Sequence, residues 1–175
     1  MSGHSHWSGI KHKKEAMDQK RGKVFSKLLA AISIAAKQEP NPQFNPRLRT
    51  AILKAKENKV PQDNIDRAIN KASEIKDLED LIMEAYGPEG AAILIEAVTD
   101  NRNRTISEVK KILSDAGAKW AEPGSVQWAF NPPTGDKAWE AKFKQEFSPD
   151  AIQKIGDLAE KIKDHDDVQE VYTNA

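Results

Sequence analysis

The chain has 175 residues, a formal net charge of zero and no cysteine. This length allows one large domain or two small ones, and the lack of cysteine excludes disulfides, thiol nucleophiles and cysteine-based metal sites. Residues 1–76 contain 16 Lys/Arg and 7 Asp/Glu, a net charge of +9, whereas residues 77–175 contain 11 and 20, a net charge of −9. Because a neutral chain is divided in this way, we expect the basic half to have a polyanionic partner.

The N-terminal segment, residues 1–14, is rich in Gly, Ser, His and Lys and shows no hydrophobic period. It is predicted to form a flexible, extended basic arm. From Glu15 onward, residues such as Met17, Val24 and Ile32 recur at three- and four-residue steps, which predicts an amphipathic helix. Proline residues end this pattern.

Two further helices are predicted in the basic half. One spans about 46–58, with Pro46 in its first turn, and the other starts at Val60-Pro61. Three amphipathic helices joined by short loops indicate a small bundle over residues 15–76.

The acidic half, residues 77–175, shows alternating strand and helix patterns. Together with the bundle they predict an α+β fold, in which the second domain has the order β-α-β-α-β. The predicted elements are a turn at Tyr86–Gly90, a strand at Ala91–Val98, a helix ending near Gly117, a strand at Ser125–Phe130, a short helix within Lys137–Phe147, a helix opened by Ser148-Pro149, with Ile152 facing inward, and a strand at Asp167–Thr173.

Phosphate binding is the chemistry that the basic residues favour, since Lys and Arg release counterions from nucleic acids. The candidates are positively charged side chains, and one aromatic ring in a polar segment that could stack on a base. These candidate nucleic-acid-binding residues are Trp7, Lys11, Lys13, Lys14, Lys20, Arg21, Lys23, Lys27, Arg47, Arg49, Arg102 and Arg104.

Each of these assignments has an alternative. Trp7 could fold back onto the bundle, and the lysines could form an ordinary solvated helix face. Arg102 and Arg104 precede a helix whose N-terminus favours anions, but they could equally pair with the surrounding carboxylates.

Other chemistries have weaker signals. The Ser2-Gly3-His4 terminus could offer nitrogen ligands to Cu(II) or Ni(II), but no metal site or cofactor is predicted. The sequence has no Walker A, GxGxxG, HExxH or nucleophile-elbow motif, so we do not expect an enzyme.

Seven segments in order resemble the YebC family. They are GHSHWSGIKHKK at 3–14, DQKRGKVFSKL at 18–28, VPQDNIDRAI at 60–69, YGPEG at 86–90, TDNRNRT at 99–105, GSVQWAF at 124–130 and DDVQEVYTNA at 166–175. That family includes bacterial proteins called probable transcriptional regulators and a mitochondrial translational activator of cytochrome oxidase subunit I.

The resemblance implies a helical domain and two α+β domains, one inserted into the other. Only 17 residues separate Phe130 from Ser148, where the family has a longer insert, so a truncated insert is expected near 131–148. The resemblance also implies that the last strand pairs beside Ala91–Val98.

The predicted function is a nucleic-acid-binding regulator of gene expression, acting on DNA. The alternative is a ribosome-associated translation factor that binds ribosomal RNA or mRNA. A third reading is a protein–protein module, and the acidic domain could in any case orient a protein partner. We expect a cytoplasmic monomer or weak oligomer without a membrane partner.

Overall fold

The computed structural model describes residues 3–135 and 137–175, with side chains described from Ile10 onward. These residues contain five α-helices and six strands. The helices are α1 (Gly3–Gln38), α2 (Pro46–Glu57), α3 (Gln62–Asn70), α4 (Arg102–Asp115) and α5 (Pro149–Lys163). The strands are β1 (Glu79–Tyr86), β2 (Ala92–Thr99), β3 (Lys119–Ala121), β4 (Phe130–Asn131), β5 (Glu140–Ala141) and β6 (Val168–Thr173). The prediction of an α+β fold is confirmed.

Helices α1, α2 and α3 pack around one apolar core, as the sequence predicts. Ile32, Leu48 and Ile65 are fully buried in it. The start of α2 is fixed by Asn45, whose side chain accepts a hydrogen bond from the Leu48 amide, and by Pro46, which suits the first turn of a helix.

The prediction of an extended arm is wrong for the described residues of this segment, because α1 begins at Gly3. Hydrophobic periodicity detects a helix only where one face is buried, and residues 10–24 of α1 lie outside the core. Lys, Glu, Ala, Met and Gln are good helix formers. Extending a helix that the core has already nucleated requires no new nucleation step. For the same reason Met17, predicted on the buried stripe, is 71% exposed.

The second domain is a four-stranded antiparallel sheet of order β3-β1-β2-β6. Both faces of β2 are covered, because Ile93 and Ile95 pack with α4 and α5 while Leu94 faces the segment that contains Trp139. This double burial explains why β2 is a nearly continuous apolar run, interrupted by Glu96. The predicted pairing of the last strand beside this run is confirmed, with Ile95 opposite Val171.

Strand β1 was not predicted. Because it pairs with β2, the domain begins with a β-hairpin, and the predicted β-α-β-α-β order was wrong. Its buried residues Leu81, Met83 and Ala85 alternate along the strand, and this two-residue period was the available signal. The acidic residues Glu79 and Asp80 at its start and Glu84 within it obscured this signal.

The segment between β3 and α5 also differs from the prediction. Residues 127–129 form a 3₁₀ turn and not a strand, because the buried Glu84 carboxylate accepts hydrogen bonds from the amides of Gly124, Val126 and Gln127. These amides are therefore not available to a strand ladder.

The short helix predicted within Lys137–Phe147 is replaced by β5, which pairs with β4. Trp139 is buried and donates to Glu96 at 2.8 Å, whereas Phe143 is exposed. Glu96 also accepts from the Tyr172 hydroxyl at 2.9 Å. Burial and then the Glu96 charge raise the pKa of Tyr172.

Helix α5 begins after Ser148, whose hydroxyl accepts from the Ala151 amide, as the sequence predicts. Its residue Ile152, predicted inward, is 54% exposed. Helix α4 ends before Gly117, which has a φ of +71°, in agreement with the predicted glycine stop.

Candidate nucleic-acid interface

The exposed half of α1, residues 10–24, is the most distinctive surface of the molecule. Every residue in this range is exposed, and contact with the bundle core begins at Phe25. At a rise of about 1.5 Å per residue, these 15 residues extend over roughly 22 Å. A charged helix of this length is therefore accessible from all sides.

Basic side chains are concentrated on this exposed half. Lys11, Lys13, Lys14 and Lys20 make no ion pair or hydrogen bond with other residues in the described part of the chain. Arg21 lies over the Phe25 ring, with its guanidinium carbon 5.1 Å from the ring centroid. Because these charges are not neutralised by neighbours, they are available to bind a polyanion.

Two further predicted residues contact the second domain from the middle of α1, where its exposed half ends. Lys23 lies 3.0 Å from an Asp166 carboxylate oxygen. Lys27 donates to the Lys163 carbonyl, at the C-terminal end of α5, at 2.5 Å. The negative end of a helix dipole favours this position for an ammonium group. Burial lowers the pKa of Lys27, although Asp166 and Asp164 oppose the shift.

Arg47 and Arg49 lie apart from the exposed half of α1 and are engaged within the protein. Arg47 forms two hydrogen bonds with the carboxylate of Asp80, one of them at 2.8 Å, and this interaction raises the pKa of the Arg47 guanidinium. Arg49 donates to the carbonyls of Pro42 and Gln43 at 2.8 and 3.1 Å. Both side chains therefore hold the N-terminal end of α2, Arg47 against β1 and Arg49 against the loop that precedes the helix.

Arg102 and Arg104 pair with carboxylates, which was one of the two readings left open by the sequence. Arg102 lies 3.5 Å from Glu79. Arg104 binds Asp100 at 2.9 Å and Asp167 at 2.8 Å, and these contacts raise the pKa of its guanidinium. The charges of both arginines are therefore partly compensated by these carboxylates.

Asp167 connects the turn before β6 to the start of α4. Its carboxylate accepts from the Thr105 hydroxyl at 2.5 Å, in addition to Arg104. Burial alone would raise the pKa of Asp167, but the hydrogen bonds from Thr105 and Arg104 outweigh it and the pKa is lowered.

His165 completes this turn, and sequence reasoning did not single it out. Its Nδ1 accepts from the Asp167 amide at 3.1 Å, so Nε2 carries the proton that points to Glu108 at 2.7 Å. The turn that contains His165, Asp166 and Asp167 thus contacts both α1 and α4. The run of charged residues at 163–167 was the signal that could have located this junction.

Trp7 and the two histidines of the first six residues have side chains outside the described residues, so stacking by Trp7 stays a prediction. Within the described part of the chain, no group of His, Asp and Glu has the arrangement of a metal site. Among the helices of the same residues, none is both long and apolar enough to cross a bilayer.

Comparison with known proteins identifies the chain's relatives. Residues 5–75 match the family model described as the TACO1/YebC protein N-terminal domain, and residues 78–133 match the one described as the TACO1/YebC second and third domain.

Similar proteins have been named as regulators. A probable transcriptional regulatory protein of Trichlorobacter lovleyi is 45% identical over 99% of this chain and 70% of its own length. One from Solibacter usitatus is 50% identical over 74% of this chain and 54% of its own length. The crystal structure of a conserved hypothetical protein, Aq1575, from Aquifex aeolicus superimposes with a TM-score of 0.78 at 30% identity and covers 90% of each chain. The chain belongs to the TACO1/YebC family.

Proposed function

We propose that this protein is a cytoplasmic, nucleic-acid-binding regulator of gene expression, and that the exposed half of α1 makes the main phosphate contacts. The observation that supports this proposal is the row of unpaired lysines, above all Lys13, Lys14 and Lys20, on a helix segment that is exposed on all sides. The names of the relatives, probable transcriptional regulatory proteins, favour the same role.

The other predicted cations contribute less in this proposal. Arg47 and Arg104 already bind carboxylates, and a nucleic acid would have to displace these partners. We therefore expect these two arginines to stabilise the fold. We also expect the acidic second domain to be available to a protein partner.

The test is a salt series of binding to duplex DNA, single-stranded RNA and ribosomes. Each phosphate contact contributes about 0.9 to the slope of log affinity against log salt for duplex DNA and about 0.7 for single strands. Replacing Lys13 and Lys14 by Gln is expected to reduce the slope by about 1.4 to 1.8 if both contact phosphates.

The matched control replaces Lys142 and Lys144, two exposed lysines of the second domain, by Gln. This control has the same change in net charge, and its salt slope should equal that of the wild type. Negligible, salt-insensitive binding of the wild type to all three probes would refute the proposal. Preferential co-sedimentation with ribosomes that is lost in the Lys13/Lys14 variant would identify ribosomal RNA as the target.

A further inference from the structure

The exposed half of α1 contains a seven-residue repeat that charge alone does not explain. An apolar residue is followed three and four positions later by two basic residues, first as Ile10, Lys13 and Lys14 and then as Met17, Lys20 and Arg21. Val24 follows Met17 after the same interval. Since seven residues make about two turns, these apolar side chains lie in one line, about 10.5 Å apart.

This apolar line is exposed along its whole length. The exposed fractions are 53% for Ile10, 71% for Met17 and 42% for Val24. Three large apolar side chains that are exposed in line on one helix face, and not scattered over the surface, favour an interaction surface. The lysines and Arg21 flank the row on both sides, as expected from helical geometry.

A second helix is a poor partner for this row. A coiled-coil seam requires apolar residues at two positions of each heptad, and the second position here is occupied by Lys13, Lys20 and Lys27. Two copies of the segment would also bring their positive charges together. The row is suited instead to a partner that is negatively charged at its edges and apolar between them.

We infer that Ile10, Met17 and Val24 form the uncharged part of the nucleic-acid interface, where they contact bases or sugars between the phosphates bound by the flanking Lys and Arg. Nucleic acids combine a charged backbone with apolar base and sugar surfaces, which matches both features of the helix. This inference rests on the proposed function and adds a component of the affinity that salt does not screen.

The experiment replaces Met17 by Gln, a good helix former of similar length. Binding is measured over a salt series with a 20-nucleotide single-stranded RNA, with duplex DNA of the same sequence, and with inorganic polyphosphate, which has no bases or sugars. We expect the affinity of Met17→Gln for at least one nucleic acid to fall about fivefold at every salt concentration, with an unchanged salt slope. Its affinity for polyphosphate should stay that of the wild type.

The matched control is Ile152→Gln, at a similarly exposed apolar residue on α5, and it should bind both nucleic acids like the wild type. Circular dichroism verifies that the helix content of each variant is unchanged.

The inference is overturned if Met17→Gln binds both nucleic acids with wild-type affinity, or if polyphosphate binding falls by the same factor. Loss of a salt-sensitive self-association in sedimentation velocity, with nucleic-acid binding intact, would overturn it in favour of a second copy. In all of these cases a reduced salt slope in the Lys13/Lys14 variant would still support the proposed function. Failure of the wild type to bind any nucleic acid would refute both.

Discussion

Replacing Glu84 by Gln is expected to destabilise the second domain by about 2 to 4 kcal/mol. The Glu84 carboxylate is 3% exposed and accepts three amide hydrogen bonds, from Gly124 at 2.6 Å, Val126 at 2.7 Å and Gln127 at 3.0 Å. A carboxamide has one oxygen, so it can serve the pair Val126 and Gln127 or Gly124, but not both sides.

The magnitude follows from these bonds. If the carboxamide oxygen serves Val126 and Gln127, the partly buried amide of Gly124 loses its acceptor and faces the new NH₂ group, which costs about 1 kcal/mol. The two remaining bonds change from charge-assisted to neutral, and each loses about 1 kcal/mol. The lower desolvation cost of a neutral amide offsets part of this loss. For a chain of this size, each kcal/mol lowers the melting temperature by about 2–4 °C.

The assay is urea unfolding followed by tryptophan fluorescence, because Trp120, Trp128 and Trp139 all lie in this domain. Glu140→Gln, at an exposed position on β5, removes the same charge without a buried bond and should stay within about 0.5 kcal/mol of the wild type. If Glu84→Gln is as stable as this control, the carboxylate does not hold the turn, and the reasoning is refuted.

Three further changes test other contacts. Asp166→Asn removes the ion-pair partner of Lys23 and should raise nucleic-acid affinity two- to threefold at low salt and not at high salt. The free energy of unfolding should change by less than about 1 kcal/mol, because both side chains are exposed. Equal affinities of wild type and variant at low salt would show that Lys23, once released, does not bind phosphate. Since the pKa of Asp167 is lowered in the folded state, its stabilising contribution is present above the ordinary carboxyl pKa and lost as pH falls through the folded pKa. Urea unfolding should therefore show a larger stability difference between wild type and Asp167→Asn at pH 7 than at pH 3, and a difference independent of pH would argue against this. Gly117→Ala should lower the free energy of unfolding by about 1 kcal/mol, because φ there is +71°, whereas a neutral result in thermal unfolding would mean that the turn relaxes without strain.

The sequence by itself determined the elements whose signals are local. The three buried helix faces, the start of α2 at Pro46, the glycine stop after α4 and the apolar run of β2 are all visible in residue spacing, turn residues and capping residues. The seven family segments also predicted that β6 returns to the side of β2. Each of these features depends on neighbouring residues or on motifs that are themselves in the sequence.

Only the tertiary structure decided which polar groups meet. The bonds from Glu84 to a turn 40 residues later made a predicted strand into a 3₁₀ turn, and the carboxylates of Asp80 and Asp167 engaged two of the predicted phosphate-binding arginines. In the candidate site, sequence identified the basic residues but not which of them are unpaired. Nor did it show that residues 10–24 belong to a helix whose side chains are all exposed, because periodicity reports burial and this segment is not buried.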